Sequence, residues 1–124
     1  MWPKEKKKTV VLGASPNPAR YSFKAVKSLL RCGHEVIAVG FRPGVIYDTF
    51  IQRGKPEIED VHTIAMYIGE QRQDEFHDYI FSLKPKRVIF NPGTINTGFM
   101  KELEDHDVEV IEGCTLVMLD SGEF

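Results

Sequence analysis

The chain has 124 residues, which is room for one compact domain and not for a second. A hydrophobic share of 42% and a charged share of 27% are those of an ordinary globular protein. The net charge of −2 argues against nucleic acid as the main partner, because such binding needs Lys and Arg massed against phosphates. No apolar run approaches the roughly 20 residues of a membrane span, and the charged start is not followed by a signal-peptide core. Cys32 and Cys114 lie far apart and form no C-x-x-C, so the chain reads as cytoplasmic with reduced thiols. The basic run from Lys4 to Lys8 is interrupted by Glu5 and reads as a solvated lead-in to the first strand.

Val10-Val11-Leu12 is an unbroken apolar run and predicts a strand buried on both faces. Gly13 ends it, a Ser/Pro/Asn turn follows, and Phe23, Val26, Leu29 and Leu30 mark a helix over Tyr21–Leu30 that Gly33 closes. Glu35–Val39 is the second strand, ending on Gly40. A helix between two parallel strands demands a right-handed crossover, which sets these two side by side. Pro43-Gly44 is a turn, Asp48–Ile51 fits a short strand, and Lys55-Pro56-Glu57 is a loop. Thr63–Ile68 predicts a strand ended by Gly69. Gln71–Leu83 predicts a helix with Phe76, Tyr79, Ile80 and Leu83 inward. Arg87–Phe90 is a strand running into Asn91-Pro92-Gly93-Thr94, followed by a helix over Thr97–His106 and a strand over Val108–Ile111. The tail Glu112–Asp120 has the length of a strand or a short helix, and the helix is favoured. Strand and helix alternate throughout, which gives an α/β class: a Rossmann-like three-layer sandwich with a mainly parallel sheet of five or six strands flanked by helices.

The first strand–loop–helix is where such a fold holds a phosphate, on the N–H groups and dipole of the helix start. A dinucleotide loop requires Gly-x-Gly-x-x-Gly. Here Ser15 takes the second glycine position and Pro18 the third, so the architecture survives without the fingerprint. The ligand expected is nucleotide-like and not NAD. Ligands of open parallel sheets lie beyond the carboxyl ends of the strands, where strand order reverses. Four segments meet that description: Gly13–Ser22, Gly40–Gly44, Ile68–Glu70 and Asn91–Thr94. Each carries glycine, more often than short loops alone require, which suggests a backbone closely approached by a ligand. An NAD site places Asp or Glu after the second strand. This chain has Gly40-Phe41-Arg42, and an arginine there suits a phosphate on the adenosine ribose, a group common to NADP and coenzyme A.

Taken together, the run from Val11 to Ser22, with Val39-Gly40-Phe41-Arg42-Pro43-Gly44 and Phe90-Asn91-Pro92-Gly93, resembles the single-domain CoA-binding proteins. These are Rossmann-like and related to the amino-terminal domain of the succinyl-CoA synthetase alpha subunit. The resemblance runs from Lys8 to Phe124, firmest in the first loop and faintest between Asp48 and Asp60. It implies that Gly13, Ala14, Ser15, Pro16 and Asn17 wrap the CoA phosphates and that Arg42 and Pro43 lie near the adenosine end. It also implies that Ile68, Gly69, Asn91, Pro92 and Gly93 line the crevice. Glu112 and Cys114 match a Glu-x-Cys that recurs in these proteins. The synthetase mechanism uses a phosphorylated histidine of a second domain, and none of His34, His62, His77 or His106 falls in a matching motif.

Around the first loop, Ser15 is expected to donate to a phosphate, while Arg20 is either a phosphate ligand or a surface charge. Tyr21 either stacks on the ligand or packs, and Ser22 opens the helix. No His or acid stands in a triad relation to either serine. Cys114 follows Gly113 at the start of the tail helix, where a thiol is either activated to react with CoA or is a small packed group. The four histidines are dispersed and show no metal-ligand spacing. The expected function is therefore non-catalytic binding of coenzyme A or an acyl-CoA, a small nucleotide-like ligand, with room for a protein partner. The alternative is an NAD(P)-binding oxidoreductase or redox-responsive regulator.

Overall fold

The computed structural model describes residues 5–124, so Lys4 of the basic run lies outside the described residues. Seven strands, β1 (Thr9–Leu12), β2 (Val36–Val39), β3 (Val45–Ile46), β4 (Thr49–Gln52), β5 (Thr63–Met66), β6 (Arg87–Phe90) and β7 (Glu109–Glu112), form one sheet in the order β3-β4-β2-β1-β5-β6-β7. The helices are α1 (Tyr21–Arg31), α2 (Glu70–Gln73), α3 (His77–Leu83), α4 (Thr97–Asp105) and α5 (Thr115–Ser121). Every pairing is parallel except β3 against β4. The α/β sandwich is the expected one, with seven strands where five or six were counted. The additional strand is Val45–Ile46, which returns antiparallel to β4 through Tyr47 at φ 55. Two residues are too few to show a period.

The strict alternation of the central strands builds two separate cores. Val10, Leu12, Ile64, Met66, Val88 and Phe90 face one side, under Ile80, Phe99 and Leu103 of α3 and α4. Val11, Ala38, Ala65 and Ile89 face the other, under Val26 and Leu29 of α1 and with Met118 and Leu119 of α5 at the margin. Burial on both faces explains the continuous apolar runs in the sequence. Because β1 leads through α1 to β2 on one flank, and β5 leads through α3 to β6 on the other, strand order reverses between β1 and β5. Their carboxyl ends open the crevice.

Helix boundaries follow local chemistry. Gly33, at φ 88, ends α1: its N–H donates to the Leu30 carbonyl at 3.0 Å while that of His34 donates to Leu29 at 3.0 Å. Asn96 caps α4 by accepting from the Phe99 N–H at 3.2 Å. The helix expected over Gln71–Leu83 is broken into α2, a 3-10 turn at Asp74–Phe76, and α3. The break follows Gln73, whose side-chain amide is anchored elsewhere, to the Ile68 carbonyl at 2.8 Å and the Thr94 carbonyl at 2.6 Å. Strand β5 stops at Met66, two residues earlier than expected; the Tyr67 N–H still donates to the Leu12 carbonyl of β1 at 2.8 Å, and Tyr67 and Ile68 border the crevice. The tail is a helix, as favoured. The lead-in is not simply solvated: the Lys7 N–H donates to Nδ1 of His34 at 3.0 Å and its Nζ to the Phe124 carbonyl at 2.6 Å. Among the described residues no helix is long and apolar enough to cross a membrane.

Candidate functional site

At the carboxyl end of β1 the chain turns through Gly13, whose φ of 97 disfavours any side chain. A Cβ there would also meet the Tyr67 carbonyl carbon at 2.9 Å, so glycine lets the loops after β1 and β5 touch. The β1–β2 side is as close: a Cβ on Gly40 would strike the Ala14 carbonyl oxygen. The N–H groups of Gly13 and Ala14 both donate to the Val39 carbonyl, at 2.8 and 2.9 Å, fastening the start of the loop to β2.

The rest of the loop is folded on its own side chains. The Asn17 N–H donates to Ser15 Oγ at 3.1 Å, and the Ala19 N–H donates to Asn17 Oδ1 at 3.0 Å. Ser15 is thereby an acceptor toward the loop and keeps its own hydroxyl proton to donate outward. Arg20 occupies the N-cap of α1 and supplies no side-chain cap, which leaves first-turn N–H groups without an intrahelical partner. Donors and dipole of an 11-residue helix thus face the crevice.

A cleft of about 560 Å³ lies over this loop. Gly13, Ala14, Ser15, Pro16, Asn17, Arg20, Tyr21 and Ser22 form one wall, and Arg42, Ile68, Gly69 and Pro92 complete it. Twelve of the residues expected from the sequence are therefore gathered in one place. Phe41, Tyr67 and Arg72 join them without having been expected. Arg20, Arg42 and Arg72 are exposed at the rim and give the cleft a cationic mouth. Arg72 lies with its guanidinium 3.9 Å from the Phe41 ring centroid, so the two side chains bridge the crevice from α2 to the end of β2. Tyr67 lines the cleft, but its hydroxyl is buried beside Thr115 and Cys114 without completing a hydrogen bond. Burial pushes that hydroxyl up to about 12, so it stays protonated.

Four expected residues lie elsewhere. Gly40 lines a second cleft beyond Phe41. Pro43 and Gly93 are exposed and border neither cleft, and Gly93 serves the turn after β6 at φ 89. Asn91 is fully buried: its Nδ2 donates to the Met66 carbonyl at 3.0 Å and its Oδ1 accepts from the Thr115 N–H at 2.8 Å. Its amide holds β5, β6 and α5 in register instead of reaching the crevice.

The second cleft, of about 360 Å³, is floored by Leu12, Val39 and Ile68, walled by Phe41 and Phe76, and edged by Arg53, Lys55 and Glu75. Gly13, Phe41 and Ile68 belong to both clefts. The sequence signal for Arg53 and Lys55 was slight, because they follow the weakly patterned β4. None of the four histidines lines either cleft, and Glu112 and Cys114 stand outside both. Among the described residues no three His, Cys, Asp or Glu side chains come together as a metal site requires.

Comparison with known proteins agrees with this fold. A family model described as "CoA binding domain" matches residues 7–120. The crystal structure of an uncharacterized protein is 45% identical, with a TM-score of 0.95, over 98% of this chain and 100% of its own. A conserved hypothetical protein from Pyrococcus furiosus has a TM-score of 0.74 at 25% identity, over 94% of this chain and 99% of its own. A protein from Thermus thermophilus shares the fold, with a TM-score of 0.81 at 20% identity over 96% and 91% of the two chains. No curated protein matches the sequence. Strand order and family match point the same way: the chain belongs to the family of CoA-binding domains.

Proposed function

We propose that this protein binds coenzyme A or an acyl-CoA in the crevice at the carboxyl ends of β1, β2 and β5, and does so without turning it over. One observation carries the reading. The uncapped start of α1, the Ser15 hydroxyl and the guanidinium groups of Arg20, Arg42 and Arg72 converge on a single cleft. Fixed N–H donors with several arginines are what a diphosphate requires, since charge-assisted and bidentate bonds are the strong ones. The family match supplies CoA as the diphosphate compound.

An NAD-binding reading is disfavoured by the same loops. The residues after β2 are Gly40-Phe41-Arg42, with no carboxylate to take a ribose diol. Both clefts also lack a histidine or cysteine that could handle a thioester or a hydride. The test is a thermal-shift and calorimetric panel of CoA, acetyl-CoA, NAD, NADP and ATP on the whole chain, because a ligand of the native state raises apparent stability. CoA and acetyl-CoA should bind and NAD should not. Tighter binding of NAD than of CoA would overturn the proposal in favour of the oxidoreductase or redox-responsive regulator.

A further inference from the structure

One face of α1 carries a charge pattern that the crevice uses only at its start. Arg20, Lys24, Lys27 and Arg31 recur at three- and four-residue steps from the N-cap to the last residue of the helix, which sets all four on one side. Arg20, Lys24 and Arg31 are exposed and Lys27 is half-buried. The helix contains no acidic residue, and among the described residues no carboxylate lies within ion-pair distance of any of the four. Two exposed aromatic rings frame the stripe. Lys24 Nζ lies 5.2 Å from the centroid of Tyr21, Lys27 Nζ lies 5.7 Å from that of Tyr47, and the Tyr47 hydroxyl sits beside Arg31. The opposite side of α1, with Val26 and Leu29, is buried on the sheet.

The stripe weakens the helix that carries it. Like charges four residues apart repel, and cations near the start oppose the helix dipole. Stability alone would intersperse acids among them. The whole chain has a net charge of −2, so the stripe is a segregation of charge and not an excess. We infer that the exposed face of α1 docks an acidic helical segment of a partner protein, whose carboxylates at matching steps meet Arg20, Lys24, Lys27 and Arg31 while Tyr21 and Tyr47 close on its flanks. From Arg20 to Arg31 the stripe spans about 16 Å at a rise of about 1.5 Å per residue, roughly three turns of such a segment. Arginine and tyrosine are side chains that protein interfaces favour. A nucleic acid would meet the acids of the remaining surface, and a membrane would need an exposed apolar face, which α1 turns to the sheet. The inference stands apart from the CoA reading, because the stripe leaves the cleft wall at Arg20 and Tyr21 and runs away from it.

The experiment is fluorescence anisotropy of the whole chain with a labelled helical peptide bearing glutamates at those steps. Lys24→Gln/Lys27→Gln/Arg31→Gln spares the cleft residues and keeps a good helix former at each position. It should lose about 10-fold or more in affinity for the peptide, since the effects of three surface ion pairs multiply. Lys6→Gln/Lys84→Gln/Lys86→Gln removes the same charge from the amino end of the sheet. Its affinity should stay within about 2-fold of the wild type, because salt screens charges that distant. Ligand-free thermal midpoints verify folding, and Lys24→Gln/Arg31→Gln, confined to exposed positions, serves if the triple variant is damaged. A wild type that binds no peptide, or an equal loss in the two triple variants, would overturn the proposal. So would a DNA duplex or phosphatidylserine vesicles held more tightly than the peptide through Lys24, Lys27 and Arg31. CoA calorimetry on the same preparations reports separately on the ligand site.

Discussion

The Thr115 N–H donates to Asn91 Oδ1 at 2.8 Å, so the start of α5 hangs on a side chain at the end of β6. The opposite end of the same amide donates to the Met66 carbonyl at 3.0 Å on β5. Asn91→Ala would leave a buried N–H and a strand-end carbonyl each without that partner. The expected loss of stability is about 2–4 kcal/mol, since each orphaned buried group costs about 1–3 kcal/mol. Urea denaturation of the ligand-free protein measures it, and an unchanged midpoint would show that Asn91 is free to serve a ligand.

Gly40 sits where the backbones of β2 and the first loop nearly touch. Gly40→Ala pushes a methyl group into the Ala14 carbonyl oxygen, a main-chain atom that cannot swing aside. A cost of roughly 1–3 kcal/mol in stability follows from overpacking, together with a displaced phosphate loop. The variant should therefore lose CoA affinity even at temperatures where it is fully folded. Wild-type affinity in Gly40→Ala would mean the loop has slack.

Acid should destabilise the fold through His34. This ring is held below its ordinary value of 6.5 by burial first, and then by the nearby charges of Lys7, Arg87 and His62. His62 is lowered by burial and by Arg87, Lys7 and Lys86 against a small opposing effect of Glu5. A base whose folded pKa is depressed binds fewer protons in the native state than in the unfolded one. Its stabilising contribution is complete above pH 6.5 and is lost as pH falls from there through the folded value. Protonation would also take the Nδ1 lone pair that accepts the Lys7 N–H. Urea midpoints between pH 8 and 5 should fall, and His34→Gln should flatten part of that slope. A variant with the wild-type slope would remove His34 as the cause.

The isolated chain should not turn over acetyl-CoA. Thioester chemistry needs a positioned nucleophile or base with oxyanion donors, and the acid lining the clefts, Glu75, sits at the edge of the second cleft. Cys114 and Glu112 lie at the end of β7, outside both clefts. Free thiol release and intact mass, followed over time, decide the matter. Steady release beyond stoichiometry, abolished by Cys114→Ala or Glu112→Gln, would make the protein an enzyme.

The sequence was legible where one residue type had one physical reason to be present. Gly13 followed by a Ser/Pro/Asn turn and an amphipathic run could only be a strand, a loop and a helix, and the cleft lies over it. Central strands buried on both faces announced themselves as apolar runs. Phe41, Arg72, Arg53 and Lys55 were not legible as a set, since they come from three segments that only the sheet order brings together. Asn91 misled for the opposite reason. An amide after a strand end looks the same whether it meets a ligand or, as here, a neighbouring backbone.

Because both clefts open on one rigid sheet edge and share Gly13, Phe41 and Ile68, the crevice should act as a chelating surface. Once either phosphate group of a two-phosphate ligand is seated, the second is presented at a high effective concentration, in the millimolar range for short flexible tethers by order of magnitude. The halves of such a ligand, added separately, therefore bind far more weakly than the intact molecule. A compound carrying only one of the two groups binds more weakly for want of a second anchor, with no steric barrier needed to disfavour it.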